Sequence, residues 1–358
     1  MKTKIKTLKS YLGILFLLSI FLVGCSSSSD DSSPAPDPTP VNPDLPTPDP
    51  EPDPNPSPSP FPIPTTVQFN VLRENALNSK KQTHDLALTQ AGVFTVNNLS
   101  FGKSTGMTLT VANLSVNNAI LEVGSNVQVE LVELYDKADF ITTGISTMGT
   151  QDNGERKMLE TGGTFYVNVT SEGQATSNTY SSFSINVPHT LTGNVRSNMT
   201  LWKNISINPE SFIWESGVSN GSNVGVSGTV YVASVLRFLD WFNIGRFWED
   251  ARPKTSALSV GVPTGYNQSN SAMYLSFNGI WGVGEIYYNT TTNTFSETGN
   301  YIPVGQQANA IFVSESDGKW VYAIKPFTVT QNTNIEILGT DLQAVTEEEI
   351  TTLINALP

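Results

Sequence analysis

The chain has one cysteine, Cys25, and two histidines, His84 and His189, in 358 residues. A single cysteine excludes a disulfide within the chain. With so few thiols and imidazoles, no zinc site of the usual sulfur and nitrogen kind can form. A serine hydrolase would have to recruit one of two histidines that lie far apart in sequence, and His189 follows Pro188 in a turn-like stretch. Basic residues are also scarce, 19 Lys and Arg against 32 Asp and Glu, for a net charge of −13. That balance argues against nucleic acid and against electrostatic adhesion to anionic lipid. Long apolar runs are missing too. The longest, 11–23, is broken by Gly13 and Ser19 and falls short of the roughly 20 residues that a spanning helix needs.

That apolar run has a different meaning when its flanks are read. Lys2, Lys4, Lys6 and Lys9 precede it, as in the basic start of a secretory signal. Leu22-Val23-Gly24-Cys25 closes it and matches the lipobox of bacterial lipoproteins. Residues 1–24 are therefore expected to be a signal peptide, cleaved before Cys25. The Cys25 thiol then carries diacylglycerol, because a soft thiolate is the nucleophile that forms the thioether. One acyl chain binds a membrane marginally, and two or three hold it stably. The expected partner at this end is thus a membrane, reached through covalent lipid, and no other cofactor is expected.

Residues 25–64 form an Asp- and Pro-rich linker. It holds 15 of the 22 prolines, and the seven acids between Asp30 and Asp53 have no basic residue among them. Proline fixes φ and pushes its predecessor to extended geometry, so the expectation is a disordered, polyproline-II-like stalk. At about 3.1 Å per residue it would reach up to roughly 95 Å.

From residue 65 on, the chain is rich in Thr, Ser, Asn, Val and Gly. Strand-like runs recur at 127–134, 164–170, 183–187, 229–235, 257–262, 273–277, 310–313 and 319–324. In the second of these Phe165, Val167 and Val169 share one face. Turn signals separate the runs: Asp152-Asn153-Gly154, Gly162-Gly163, Pro263-Thr264-Gly265 and Ser316-Asp317-Gly318. The expected fold is all-β, with antiparallel sandwich domains at 65–192 and 193–345. A helix should follow at 346–358, where Thr346 and Glu349 form a capping box and Ile350, Leu353, Ile354 and Leu357 make an apolar stripe.

Three groups of residues are candidates for chemistry. Glu130, Glu133, Asp136 and Asp139 lie close together, and Asp240, Glu249 and Asp250 flank an aromatic segment. Either set could hold calcium or supply a glycosidase pair, although neither has a D-x-D-x-D loop. The aromatic segment itself runs from Phe238 to Trp248. Its Trp241, Phe242, Phe247 and Trp248, with Arg246, read either as an exposed platform for a glycan or peptide or as a core plug, with Arg246 held by Asp240 or Glu249.

Several segments carry a resemblance. VQVELVELYDKAD at 127–139, then Met158-Leu159-Glu160-Thr161-Gly162-Gly163-Thr164-Phe165-Tyr166-Val167, resemble extracellular domains of Bacteroidota surface lipoproteins. Residues 241–247 resemble their W-I-N-C-D-R-F segment, except that Ile244-Gly245 stands where that pattern has C-D. The first half is similar, more loosely, to ZU5-type sandwiches. Ser26 to Asp31, SSSSDD, resembles the tract that sends such lipoproteins to the outer leaflet of the outer membrane; it also reads as a plain polar spacer. The resemblance implies a β-sandwich fold and a cell-surface location, and it carries over no catalytic residue. The reading is an outer-membrane lipoprotein acting as a non-enzymatic binding, adhesion or scaffold module toward a protein or glycan. The alternative is a glycan-binding, or glycan-cleaving, lipoprotein of a nutrient-uptake system.

Overall fold

The structure is a computed structural model that describes residues 58–100, 103–177, 181–204, 212–216, 222–236, 240–297 and 299–358. Cys25, the lipobox and the linker up to residue 57 lie outside the described residues. The described residues are mostly β, with three α-helices among them and sheets that curl toward half-barrels. No described helix is long and apolar enough to cross a membrane.

The first helix, α1 (Thr66–Ser79), has a capping box made by Thr65 and Gln68. Twelve strands then build two sheets: β1 (Gln82–Ala87), β2 (Phe94–Ser100), β3 (Lys103–Ala112), β4 (Asn126–Leu134), β5 (Met148–Thr150), β6 (Arg156–Ser171), β7 (Ser182–Pro188), β8 (Thr200–Asn204), β9 (Trp214–Ser216), β10 (Asn223–Ser227), β11 (Val230–Leu236) and β12 (Trp241–Phe247). Helix α2 (Lys137–Thr143) lies between β4 and β5. One sheet runs β1-β4-β6-β12-β8-β9-β5, and β5 also pairs with β6, so the sheet curls back on itself. The other runs β10-β11-β7-β3-β2. Their facing residues alternate as a sandwich requires: Phe165, Val167 and Val169 of β6 meet Phe183, Ile185 and Val187 of β7 and Tyr231, Ala233 and Val235 of β11 in one buried cluster.

A third sheet follows, β13 (Ala257–Gly261), β14 (Ser271–Phe277), β15 (Gly284–Asn289), β16 (Thr294–Glu297), β17 (Gln307–Ser316), β18 (Lys319–Thr328), β19 (Asn332–Glu336) and β20 (Gln343–Val345). Its order is β19-β13-β16-β15-β14-β17-β18-β20, and the β13–β19 pair is parallel. It curls around its own cluster, which includes Leu258, Met273, Leu275, Phe295 and Phe312. A third cluster joins the two assemblies through Phe69, Leu134, Phe140, Trp202, Trp214, Tyr274, Trp320, Ile350 and Ile354. The C-terminal helix α3 (Glu347–Asn355) has the expected Thr346/Glu349 box. Ile350 and Ile354 are fully buried there, while Leu353, expected on the same stripe, is 39% exposed.

Three expectations change. The strand pairings do not follow a boundary at 192/193: β8 and β12, expected in the second domain, hydrogen-bond within the sheet of β6. The break between sheets falls after Phe247, because the long β6 needs a full partner on each side and β12 supplies one. Next, the linker does not run freely to residue 64. Ser59 Oγ lies 3.0 Å from the Tyr266 hydroxyl, and Phe61 packs on the third sheet's core. Finally, Gly162-Gly163 is no turn but the middle of β6. There β12 shifts register between Ile244 and Gly245, and Gly163 has φ +128. A Cβ at Gly163 would stand 2.6 Å from the Phe165 ring, so the pair marks a bulge with close approach.

β12 and Trp248, the residue after it, together reach all three clusters. Phe242 stacks on Phe165 at 5.3 Å inside the sandwich. Trp241 and Phe247 pack into the joining cluster, and Trp248 lies 4.8 Å from Phe277 in the third sheet's core. Phe242 has 0% exposure and Trp248 has 5%. Replacing Phe242 with Ala is therefore expected to cost about 3–5 kcal/mol of unfolding free energy, as core Phe→Ala changes do. Urea denaturation measures it, and a cost below about 0.5 kcal/mol would mark the residue as surface.

Candidate functional site

The five platform residues do not share one exposed plane. β12 alternates, so Phe242 and Ile244 enter the sandwich while Trp241 and Phe247 face the other way against Tyr166, Phe212 and Trp202. Arg246 is held neither by Asp240 nor by Glu249. Its guanidinium donates to Glu160, at 2.7 Å from Nε and 2.6 Å from Nη2. Asp240 accepts from the Trp241 backbone N–H, and Asp250 is chelated by Arg252, whose hydrogen bonds hold that carboxyl down at about 2. Phe238 and Leu239 lie outside the described residues.

The acids at 130–139 are likewise engaged one by one. Glu130 accepts from Asn168 and pairs with Lys81 at 3.4 Å. Glu133 is buried and accepts from the Tyr135 hydroxyl at 2.7 Å and from Gln82 at 3.1 Å. Asp139 pairs with Lys80 at 2.6 Å and accepts from the N–H groups of Tyr135 and Asp136 that precede α2. Among the described residues, no group of three His, Cys, Asp or Glu could hold a metal ion. Two Gly-x-Ser-x-Gly strings also occur in the chain. The one at 102–106 leads into β3 of a hairpin rather than into a helix, and the one at 217–221 lies outside the described residues.

Glu160 leads to a different place. Besides Arg246 it accepts from Arg196 Nε at 3.1 Å, so one buried carboxylate orients two guanidinium groups. Arg196 belongs to the loop after a 3-10 turn, His189–Thr192. The Tyr231 hydroxyl accepts from its backbone N–H, and its Nη1 donates to the carbonyls of Thr192 and Asn194. Opposite stands Trp281, on the loop between β14 and β15. Its indole N–H donates to the Tyr135 carbonyl at 2.8 Å, and its own carbonyl accepts from Thr161 N–H. Gly193 lies between the two: a Cβ there would be 3.8 Å from Arg196 Nη1 and 3.8 Å from the Trp281 ring.

These groups line a cleft of about 270 Å³, with Asp136, Lys137, Asn194, Ile280 and Asn355. Lys137, the first residue of α2, is only 6% exposed, and its ammonium donates to a main-chain oxygen of Pro358 at 2.7 Å. Asn355 ties the same end of the helix pair by accepting from Ala138 N–H at 3.1 Å. The cleft thus joins a buried ammonium, a guanidinium and an indole, contributed by three separate stretches of chain. A depression of about 430 Å³ lies beside Trp248, Glu249, Asp250 and Lys254, and two still larger ones have other chemistry. One of about 600 Å³ is lined by ends of β1 and β4 with Asp85 and Glu172. The other, of about 590 Å³, lies beside Tyr266, Tyr288 and Glu336. Comparison with protein families and with characterised proteins returns no match for this chain.

Sequence reasoning placed Lys137 and Glu160 inside recognisable segments but gave them no role. It missed Arg196, Trp281 and Asn355, whose neighbours in sequence carry no shared signal.

Desolvation pulls the Lys137 ammonium from its ordinary 10.5 down to about 8. A cation whose folded pKa lies below its unfolded one weakens the fold most at pH below both values. That cost fades as pH rises through the window between them. The shift corresponds to about 3 kcal/mol. Replacing Lys137 with Met is therefore expected to raise the urea midpoint at pH 7, and the gap to wild type should shrink by pH 10. A midpoint that drops at pH 7 would show the ammonium to be a net structural support.

Proposed function

We propose that the chain is an outer-membrane, surface-exposed lipoprotein whose β-sheet body acts as a non-enzymatic binding module. Leu22-Val23-Gly24-Cys25 supports the anchor, and the Pro-rich linker supports display away from the membrane. The observation that carries the binding role is the cleft between Arg196, Lys137 and Trp281. It is concave and mostly apolar, with Ile280, Trp281 and Leu357 beside a few polar groups, as small-ligand sites are. Asp136 is the one acidic side chain among its described lining residues, which suits binding better than hydrolysis by a pair of acidic side chains.

A second reading, a glycan-binding lipoprotein of a nutrient-uptake system, draws its support from Trp281. It now rests on that indole and the cleft around it, since the 241–248 segment is packed into the interior.

The anchor has a direct test. Cells fed labelled palmitate should incorporate label into the wild-type chain and none into a Cys25→Ala variant, which should leave the membrane fraction. External protease should remove the wild-type body from intact cells. Membrane retention of Cys25→Ala would remove the lipid anchor from the proposal, and protease resistance would place the body inside the envelope.

A further inference from the structure

From the loops at one end of the third sheet we infer a second binding site, a depression that takes a primary ammonium group with Glu336 as its counter-charge. It shares no lining residue with the cleft of Trp281, and neither reading depends on the other.

The first observation is a carboxylate without a partner. Glu336 ends β19, and the parallel β13–β19 ladder sets it beside Gly261. Its carboxylate lies over that glycine, where a Cβ would collide with both oxygens. Glu336 is open to solvent, so a ligand can reach it, yet it makes no hydrogen bond or ion pair among the described residues. Partial burial raises its carboxyl above the ordinary carboxylate range, with no neighbouring cation to offset the effect. A partly desolvated charge of this kind is costly until a donor pairs with it. No Lys, Arg or His lines the depression, and Glu336 is its one charged lining residue. The lining itself therefore offers no counter-charge.

The second observation is the frame around it. The depression holds about 590 Å³, inside the range of small-ligand pockets, about 300–1,000 Å³. Tyr288 supplies an aromatic wall. Its N–H donates to the Gln268 side chain at 2.9 Å, and its ring meets Phe295 edge-on at 5.3 Å, so the ring is held in place. The loop of Gly265 and Tyr266 is fixed from behind by the end of the linker. Ser59 Oγ lies 3.0 Å from the Tyr266 hydroxyl, and Ile63 lies over Gly265, where a Cβ would stand 2.9 Å from its Cγ1. An aromatic ring attracts a cation and covers the carbon skeleton that bears it. The hydroxyls of Thr264, Thr292 and Thr294 complete the lining. An ammonium has three donors and no acceptor, so it suits a carboxylate among hydroxyl oxygens, whereas a guanidinium favours a flat bidentate partner. An amino sugar and a lysine side chain share this chemistry.

Calorimetric titration of the full-length chain with glucosamine, N-acetylglucosamine and a lysine blocked at its α-amine and carboxyl tests this. Glucosamine supplies ring and ammonium, N-acetylglucosamine the ring alone, and blocked lysine the ammonium alone. Glucosamine is expected to bind about tenfold more tightly than N-acetylglucosamine, the scale of one charge-assisted hydrogen-bonded contact. Tighter binding of glucosamine than of blocked lysine assigns the ammonium to an amino sugar, and the reverse order assigns it to a peptide. Glu336→Gln should erase the preference for the amines, while its urea midpoint at pH 7 stays at or above wild type because the lost charge had no partner. Wild-type affinity for glucosamine should also fall with ionic strength. N-acetylglucosamine binding as tightly as glucosamine would overturn the ammonium assignment. So would a preference that survives in Glu336→Gln, or a midpoint that falls in that variant, since the carboxylate would then have a partner within the chain. No heat with any of the three probes would overturn the site and leave the reading of the Trp281 cleft standing.

Discussion

The pairing of β6 with β12 is the constraint on which the rest of the molecule depends. β6 is sixteen residues long and serves as partner to β4, β12 and β5 along its length. At its middle β6 bulges at Gly162, which has no partner on β12 between the Gly163–Ile244 and Thr161–Gly245 pairs, and the side chains of β12 leave in different directions. Phe242 enters the sandwich, Trp241 and Phe247 the joining cluster, and Trp248 the core of the third sheet. β12 and the Trp248 that follows it therefore tie three hydrophobic cores together. The backbone extends the tie: Trp248 N–H donates to Met158, Thr161 N–H to Trp281, and Thr147 exchanges hydrogen bonds with Val283. With the sheets joined this closely, the loops of Arg196 and Trp281 face each other across a fixed gap.

The junction also contains a buried polar network. Arg156 donates to the Tyr287 hydroxyl, which lies 3.5 Å from Glu285, and Glu285 is buried with Arg73 and Arg156 near enough to favour its charge. Burial wins, so the Glu285 carboxyl is raised above its ordinary value. Burial and the neighbouring Glu285 raise Tyr287 as well. Such a network adds little net stability, because desolvation offsets its attractions. It does penalise any packing in which the third sheet docks elsewhere, since its charges would then be buried without partners.

Much of the fold was legible in the sequence, and the reasons are local. The strands at 127–134, 183–187, 229–235 and 319–324 alternate strongly or form solid apolar runs, and Asp317-Gly318 supplies the two positive φ angles of a tight hairpin. The capping box at Thr346 announced α3. An equivalent box at Thr65 and Gln68 announces α1, yet that helix buries only Phe69 and Ala76, too few positions to make a periodic stripe. What could not be read was non-local. Gly162-Gly163 looks like a turn until its pairing with β12 shows it to be a bulge inside a strand. A dense aromatic segment looks like a platform until its residues are assigned to three cores. The cleft's residues come from positions 137, 193–196, 281 and 355, and only the folded sheets bring them together.

The central claim is that residues 58–358 are tied into one cooperative body through β12, rather than divided into independent sandwiches. Native-state amide hydrogen exchange tests it most directly, because it reports the free energy at which each segment opens. The account expects 159–167, 241–247 and the 281–283 loop to exchange together, at the highest protection in the chain, with the core strands of the third sheet opening at the same free energy. Exchange of 257–345 as a separate unit, at a clearly lower free energy than 159–167, would contradict it.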